Sequence, residues 1–427
     1  MNLLVIGGGG REHAIIKKLR ENPAVETVWC LPGNGGIAAD ATCVPIGAKD
    51  IDAIVDFAQE HTVDFAVVAQ DDPLALGCVD RLHALGIPCF GPDAKAARIE
   101  ASKVFAKDLM KKYGIPTAAY EVFTQAEAAL RYLETAAFPL VIKADGLALG
   151  KGVLICQTLD EARIAIRDMM ESKVFGESGS RVVVESFLTG PEVSVLAFTD
   201  GHVVRPMVSS MDHKRAGDND TGLNTGGMGT VAPNPYYTPA IAEVCMEQIF
   251  LPTIRAMATE GCPFKGCLYF GLMLTPDGPR VIEYNCRFGD PETQVVLPLL
   301  KTDLLTVMQA VENETLADLD IQWSDGAAAC VILASGGYPV HYEKGKKITI
   351  PDALPANVTV FHAGDKQENG KLLTSGGRVL GVTATADTLP GALESAYAAA
   401  RSIHFDGAFM RSDIGKRALA AITSMEA

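Results

Sequence analysis

The sequence predicts a multidomain protein of α/β and α+β class, with a parallel-sheet domain first and a small β-rich domain last. Three observations carry this reading. The 427 residues exceed the roughly 100–200 of a single domain, so several cores are expected. Early in the chain, short apolar runs alternate with amphipathic stretches, the pattern of strands joined by crossover helices. The composition is 48% hydrophobic and 21% charged, which is globular and not that of a disordered chain.

The elements follow in order. Residues 2–6 are an apolar run ended by glycines at 7–10, after which Ala14, Ile15 and Leu19 fall at helical spacing over 11–20. Strand-like runs at 28–31, 65–68 and 88–90 alternate with helical patterns at 51–59 and 74–85, bounding a first domain near residue 100. Ser102 reads as the cap of a helix over 103–113, stopped by Gly114, Ile115 and Pro116. A strand near 118–123 follows, and Thr124 reads as the next cap. Strands at 140–143 and 153–156 flank a glycine-rich turn, and a helix around 159–170 leads to a strand at 181–185, closing a small α+β unit. Strand patterns at 192–199, 203–208, 269–274 and 280–285 then surround a polar glycine loop at 212–229 and a helix near 240–258. The apolar run 327–334 opens a Gly- and Thr-rich terminal domain that closes with a helix-like segment at 414–422.

Charge and motif absences narrow the function. With 52 Asp+Glu against 37 Lys+Arg the formal net charge is -15, which argues against nucleic acid and anionic membrane as partners. An anionic ligand then needs a local positive site. No run approaches the roughly 20 apolar residues that span a bilayer, and the opening MNLLVIGGGGREH lacks the flank and cleavage site of a signal peptide. The ten cysteines form no C-x-x-C pair, and Cys30, Cys156 and Cys330 sit in apolar runs, as expected of reduced thiols in a cytoplasmic protein. No H-x-x-x-H pair, no G-x-S-x-G elbow and no partner for Cys262 or Cys267 at zinc spacing supports a zinc or serine hydrolase.

Three glycine-rich or polar stretches remain as candidates. The 7–10 glycines lack the third glycine of a dinucleotide fingerprint, since Glu12 or His13 stands there. They leave open a plain tight turn or a phosphate site at a helix start. Residues 146–152 have one residue too few, and Gly152 in place of Ser/Thr, for a Walker loop. With Lys143 and Lys151 they make either a solvated hairpin or a lid over a polyphosphate, mobile until a nucleotide orders it. In 283–292, strand alternation puts Glu283, Asn285 and Arg287 on one face, and Ile282, Tyr284 and Cys286 on the other. That face is either a solvated edge or a site where hard oxygens hold Mg²⁺ beside a guanidinium that grips an anion. The 212–229 loop gathers Asp212, His213, Lys214 and Arg215 with glycines at 226, 227 and 229, and long loops of this kind are functional or disordered. His213 alone reads as a satisfied or exposed histidine rather than a catalytic one.

Taken together and in order, these motifs resemble the glycinamide ribonucleotide synthetases (phosphoribosylamine–glycine ligases) of the ATP-grasp superfamily. The resemblance extends from residues 4–13 through 32–34, 143–153, 212–215, 224–229 and 283–292 to 376–380, essentially the whole chain. It implies an N-terminal parallel-sheet domain at 1–101 that binds phosphoribosylamine, a two-lobed ATP-grasp unit with a small lobe at 102–187 and a central lobe with the metal site at 188–325, and a β-rich C-terminal domain at 326–427. It further implies that glycine, 5-phosphoribosylamine and ATP give glycinamide ribonucleotide, ADP and phosphate through a glycyl phosphate, with Mg²⁺ or Mn²⁺, in a monofunctional cytoplasmic monomer. Other ATP-grasp ligases, such as carboxylases of an aminoimidazole nucleotide or of biotin, and a non-catalytic nucleotide-binding regulator are the competing readings.

The resemblance also assigns residues. Lys103, Lys143, Gly150, Lys151 and Gly152 fall to the nucleotide phosphates and adenine side, Glu185, Phe187 and Leu188 to the interlobe hinge beside adenine, and Glu192 to the ribose. Glu283 and Asn285 match the metal ligands, and Arg287 the contact to acyl phosphate or glycine carboxylate. Gly9, Gly10, Gly33 and Asn34 lie where the phosphoribosyl group is expected, with Asp71, Thr225, Gly226 and Asp290 as further substrate contacts, and Asp212 and Lys214 near the reacting centre. Asp71 departs from the family pattern, which carries Glu there, and Leu149 from a usual small residue.

Overall fold

The computed structural model describes residues 1–148 and 152–426. The expected contacts of Gly150 and Lys151, and the departure at Leu149, lie outside the described residues. The first sheet is parallel, in the order Thr42–Cys43, Thr27–Pro32, Asn2–Gly7, Phe65–Val68, Cys89–Phe90. The chain therefore starts in the middle and winds outward in both directions. Asn2–Gly7 ends at the switch point, where diverging loops open a crevice. Leu3, Leu4, Val5 and Ile6 are all fully buried, as a strand covered on both faces requires.

Residues 120–186 carry an antiparallel sheet in the order Tyr120–Phe123, Val182–Ser186, Leu140–Ala144, Val153–Cys156. Its core, with Ala129, Leu133, Leu140, Ile142, Ile166 and Val184, is separate from the others. A third sheet, also antiparallel, runs Val204–Pro206, Glu192–Asp200, Lys265–Thr275, Gly278–Asn285. Its apolar residues share cores with the first domain: Val195, Phe250 and Phe270 pack with Leu4 and Ile6, and Leu196 and Phe198 with Leu3 and Val5. The last large sheet runs Met211–Asp212, Gly229–Ala232, Ala327–Ser335, Arg378–Ala386, Val358–His362, with Ala408–Phe409 beside Ala327–Ser335. Two of its strands come from the region before residue 325.

Several sequence expectations change. The helix expected at 74–85 is two, Asp71–Ala75 and Cys78–His83, because Gly77 between them adopts φ +81. The apolar spacing survives the break, since Leu74, Cys78, Val79 and Leu82 are all buried. Thr124 is not the cap of Ala126–Leu133; Gln125 holds that position, with no side-chain cap bond. The 212–229 loop is ordered. Arg215–Gly217 pairs with Thr221–Asn224 as a hairpin, and its ends enter the terminal sheet. The polar partners that allow this come from far away: Ser412 N donates to Asp218 (2.8 Å), Asn219 N to Asp413 (2.8 Å), and Arg411 Nη1 to the Asp220 carboxylate (2.9 Å). Ser102 caps Lys103–Tyr113 as expected, accepting from Phe105 N. Among the described residues no helix is long and apolar enough to cross a membrane. All ten cysteines are free thiols, nine of them buried.

Candidate active site

Residues from all these units line a cavity of about 750 Å³. One wall belongs to the small lobe and the helix that precedes it. Lys143, on Leu140–Ala144, points its Nζ at the Glu185 carboxylate (3.0 Å) and the carbonyl of Ile282 (2.9 Å). Lys107 meets the other Glu185 oxygen at 3.0 Å and donates to Thr117 Oγ1 at 2.7 Å. Burial lowers the Lys107 ammonium to about 8, with Glu185 resisting. Lys103 donates to the carbonyl of Gly146 (3.2 Å) and is likewise lowered by burial, against the pull of Glu283. Asp145 anchors this corner by accepting from Ser102 Oγ, Val104 N and Arg181. Glu185, Phe187 and Leu188 line the cavity beside Glu192, and Gly152 faces it from the far end of the glycine loop.

The floor is the strand Gly278–Asn285 and its continuation. Glu283, Asn285 and Arg287 line the cavity; Tyr284 borders it too, but its buried ring turns inward to hydrogen-bond Thr253 (2.9 Å), and Cys286 enters the core behind it. Ile282 departs from the expected alternation. A bulge pairs Gly271 with Glu283 but Leu272 with Val281, so Ile282 is the extra residue and it too lines the cavity. Burial works against the Glu283 charge, yet Lys214, Lys143 and Lys103 outweigh it and hold the carboxyl at about 2. Lys214 Nζ lies 3.3 Å from Glu283 and 3.8 Å from Glu192. Burial would lower its pKa, but these carboxylates raise it, keeping it charged.

Arg287 is held by Glu100 through Nη2 (2.9 Å), while its buried Nε finds no acceptor among the described residues. A buried guanidinium N–H without a partner is costly, and an anionic ligand would satisfy it. Asp71 also lines this end; burial opposes its ionisation, but Arg287 and Arg11 bring its carboxyl below the usual range. Asp212 accepts from His213 N (2.8 Å), and burial together with Glu292 pushes its carboxyl well up. Thr225 Oγ1 donates to the carbonyl of Lys214 (2.8 Å). Gly226, Gly227 and Asp290 are tied together by Arg378, which donates to all three carbonyls.

The structure thus brings Asp71, Lys103, Lys143, Gly152, Glu185, Phe187, Leu188, Glu192, Asp212, Lys214, Thr225, Gly226, Glu283, Asn285, Arg287 and Asp290 to one cavity. Gly9, Gly10, Gly33 and Asn34 are not among its lining. The Asn34 amide donates to the carbonyls of Gly8 (3.1 Å) and His362 (2.8 Å), while its oxygen accepts from Gly36 and Ile37. That side chain is spent on joining the first and last domains. His213 is buried, donating Nδ1–H to the carbonyl of Gly229 (3.0 Å) and accepting from Gly415 N (3.1 Å), a satisfied structural histidine. Residues that sequence reasoning passed over as site residues are Arg11, Glu100, Lys107, Tyr269, Glu292 and Arg378. Lys107 could have been found, being one helical turn from Lys103.

Divalent metal fits this cavity only with help from a ligand. Among the described residues no group of three or more His, Cys, Asp or Glu could hold an ion. Glu283 and Asn285 offer one carboxylate and one amide oxygen, both hard donors, and Mg²⁺ completes such a set with phosphate oxygens and water.

Comparisons with known proteins agree with this arrangement. Family models for phosphoribosylglycinamide synthetase match as the N domain over residues 1–100, the ATP-grasp (A) domain over 101–293 and the C domain over 328–417. The chain belongs to the phosphoribosylglycinamide synthetase family. A phosphoribosylamine–glycine ligase of Vibrio vulnificus (strain YJ016) is 47% identical over 424 residues, which cover 98% of this chain and 99% of that protein. A bifunctional purine biosynthetic protein of Pichia angusta is 49% identical over 424 residues, and the chain spans 54% of its length. Among solved structures, the phosphoribosylamine–glycine ligase of Thermotoga maritima matches with a TM-score of 0.84 at 35% identity, over 97% of this chain and all of that one. Biotin carboxylase of Campylobacter jejuni matches with a TM-score of 0.74 at 15% identity over the whole of this chain and 95% of its own, and so shares the fold. Members of the family are ATP-grasp ligases, a class that fits a cavity walled by lysines and floored by carboxylate, carboxamide and guanidinium.

Proposed function

We propose that this chain joins glycine to 5-phosphoribosylamine at the expense of ATP, giving glycinamide ribonucleotide, ADP and phosphate, in purine biosynthesis. The observation that carries the reading is the convergence on one cavity of Lys103, Lys143 and Lys214 around Glu283, with Arg287 alongside. A carboxylate does not react with an amine, so glycine must first take a phosphoryl group. Its oxygen attacks the γ-phosphorus, the bond to the bridging oxygen of ADP breaks, and a glycyl phosphate results. The amine nitrogen then attacks the acyl carbon, phosphate leaves, and the amine sheds a proton. No protein nucleophile is required, so catalysis rests on positioning and on stabilising charge.

In this reading Lys103 and Lys143 grip the nucleotide phosphates from the small-lobe side. Phe187 and Leu188 border the adenine, and Glu192 the ribose. Arg287 receives the acyl phosphate oxygens with the Nε–H that no described protein group satisfies. Lys214 neutralises the transferring group beside Glu283, and Asp212, in the same cavity, takes the proton the amine sheds. Glu283 and Asn285 would hold Mg²⁺ or Mn²⁺, which when bound offsets the charge of the terminal phosphates. Asp71, Thr225, Gly226 and Asp290 bound the acceptor side, with the phosphoribosyl group reaching toward Gly9, Gly10 and Gly33.

The test is ADP formation with phosphoribosylamine generated in situ, omitting glycine, the ribosylamine or ATP in turn. Turnover should require all three and yield glycinamide ribonucleotide. ADP release that depends on bicarbonate instead of glycine would turn the reading into a carboxylase and overturn it.

A further inference from the structure

Glu100 lies 185 residues before Asn285 in sequence, near the end of the helix Ala94–Ala101, yet its carboxylate is buried against the floor of the cavity. Three donors converge on it. Oε1 accepts from Asn285 Nδ2 (3.0 Å) and from Arg287 Nη2 (2.9 Å), and Oε2 accepts from the backbone N–H of Cys286 (2.7 Å). These three bonds turn the Glu100 carboxylate to the inner side of the strand, and Glu283 and Asn285 remain the oxygen donors facing the cavity. Its effect falls on the two neighbours that face the cavity.

An Asn side chain can turn over at little intrinsic cost, exchanging oxygen for NH₂. At Asn285 both amide hydrogens have acceptors on the inner side, Glu100 Oε1 and the carbonyl of Tyr284, each at 3.0 Å. That arrangement leaves the amide oxygen as the group presented outward, and the Glu100 carboxylate and the Tyr284 carbonyl enforce it together, Glu100 being the one a side-chain change removes. The same carboxylate fixes the Arg287 fork, so one residue sets the direction of a neutral oxygen donor and of a guanidinium. We infer that Glu100 is a positioning residue that locks the Asn285 amide oxygen and the Arg287 guanidinium toward the metal–phosphate centre. Because Lys103 follows it by three residues and binds the carbonyl of Gly146, this corner links the metal strand to the root of the glycine loop. The inference rests on the proposed metal role of Glu283 and Asn285.

The experiment reads Mn²⁺ affinity in the presence of ADP, by electron paramagnetic resonance of the ion, with thermal unfolding and metal-free ADP binding beside it. Glu100→Gln keeps the size but must turn an NH₂ either toward Cys286 N–H or toward the Asn285 amide and Arg287 Nη2 together; in the second case Asn285 flips and the guanidinium loses its anchor. Mn²⁺ binding should weaken at least about tenfold, as loss of groups supporting metal ligands commonly does, with metal-free ADP binding unchanged. Asn285→Asp alone sets two carboxylates face to face and should also weaken the ion. Combining Glu100→Gln with Asn285→Asp restores donor to acceptor between positions 100 and 285 at unchanged total charge, although the new NH₂ also faces Arg287 Nη2, and should bring affinity part of the way back, above that of Asn285→Asp alone. Should Glu100→Gln unfold, the double variant is compared with Asn285→Asp, and failure to bind Mn²⁺ more tightly than that single variant overturns the inference. So does a folded Glu100→Gln that binds Mn²⁺ normally while Glu283→Gln does not. If Glu283→Gln also binds normally, the assignment of the metal site falls, and this inference with it.

Discussion

Glu283 and Tyr284 are adjacent in sequence and opposite in role, which makes them a direct test of the strand register. Glu283 faces Lys214 in the cavity, whereas Tyr284 donates or accepts one hydrogen bond with Thr253 and packs edge-on to Phe270. Changing Glu283 to Gln removes the anionic oxygen without changing size. Turnover at ordinary Mg²⁺ should fall by two factors of ten or more, each worth about 1.36 kcal/mol of barrier, while thermal unfolding stays near that of the parent. Tyr284→Phe should instead cost about 1 kcal/mol of stability and leave the Mg²⁺ dependence alone. Steady-state kinetics against Mg²⁺ and calorimetry on both variants check the pair. His213 supplies a pH test. Burial lowers its pKa to about 4, with the hydrogen bond to the carbonyl of Gly229 working the other way. The unfolded chain, with a histidine near 6.5, binds the proton first as pH falls, so this residue's contribution to stability is complete above about 6.5 and is lost progressively down to about 4. Denaturant unfolding of His213→Asn should show a shallower loss of stability across that window than the parent shows. An equal slope would mean that His213 titrates alike in both states.

At the scale of elements, the hairpin of Arg215–Gly217 and Thr221–Asn224 carries Lys214 and Thr225 at its ends, yet its own residues bury little. Its turn is fastened by Arg411, Ser412 and Asp413 from the far end of the chain. The Arg411 side chain is 1% exposed and bonded to Asp413 and Asp220 as well as to the carbonyl of Arg215. Arg411→Ala should therefore strip Asp413 of its cation, leave Asp220 with Arg417 alone (3.2 Å), and loosen the hairpin. Breaking such a buried pair costs on the order of 3–5 kcal/mol. Hydrogen exchange over 214–225 should rise while the first sheet stays protected; unchanged exchange there would show that the fastening is redundant. This hairpin also marks the limit of what the sequence makes legible. Strands at 65–68 and 153–156 and the helix at 103–113 are read to the residue, because apolar runs, Ser102 and Gly114 state their ends locally. The hairpin reads as a loop because its partners sit almost two hundred residues away. The same holds for the site: Glu283, Asn285 and Arg287 announce themselves by spacing, whereas Glu100 and Arg378 act through contacts that no local pattern encodes. Ile282 faces the cavity only because of a bulge, which alternation cannot anticipate.

The whole molecule is divided unevenly. The first domain, the central sheet and part of the terminal sheet share continuous apolar cores, with Leu196 and Phe198 packed among Leu3, Val5, Ala328 and Cys330. The lobe at 120–186 instead keeps a core of its own and meets the rest through polar contacts: Lys143 to the carbonyl of Ile282, Lys103 to that of Gly146, Lys107 to Glu185, and Ser102 to Asp145. Polar links across a hinge can be exchanged for others at small net cost, while a shared apolar core cannot be opened cheaply. The lobe should thus behave as a separate cooperative unit. Ile142 is fully buried in its core, and Ile142→Ala should remove about 2–5 kcal/mol from that unit. Amide exchange within 120–186 should then accelerate at least roughly tenfold, with the sheet around Asn2–Gly7 and the strand Lys265–Thr275 unaffected. Adding ADP with Mg²⁺ should restore much of the protection, because a nucleotide held, as proposed, between Lys143 on the lobe and Lys103 and Glu283 on the rest would bind only the assembled lobes. If Ile142→Ala instead loosens all the sheets together, the lobe is not an independent unit, and the polar contacts that join it are as binding as the shared cores.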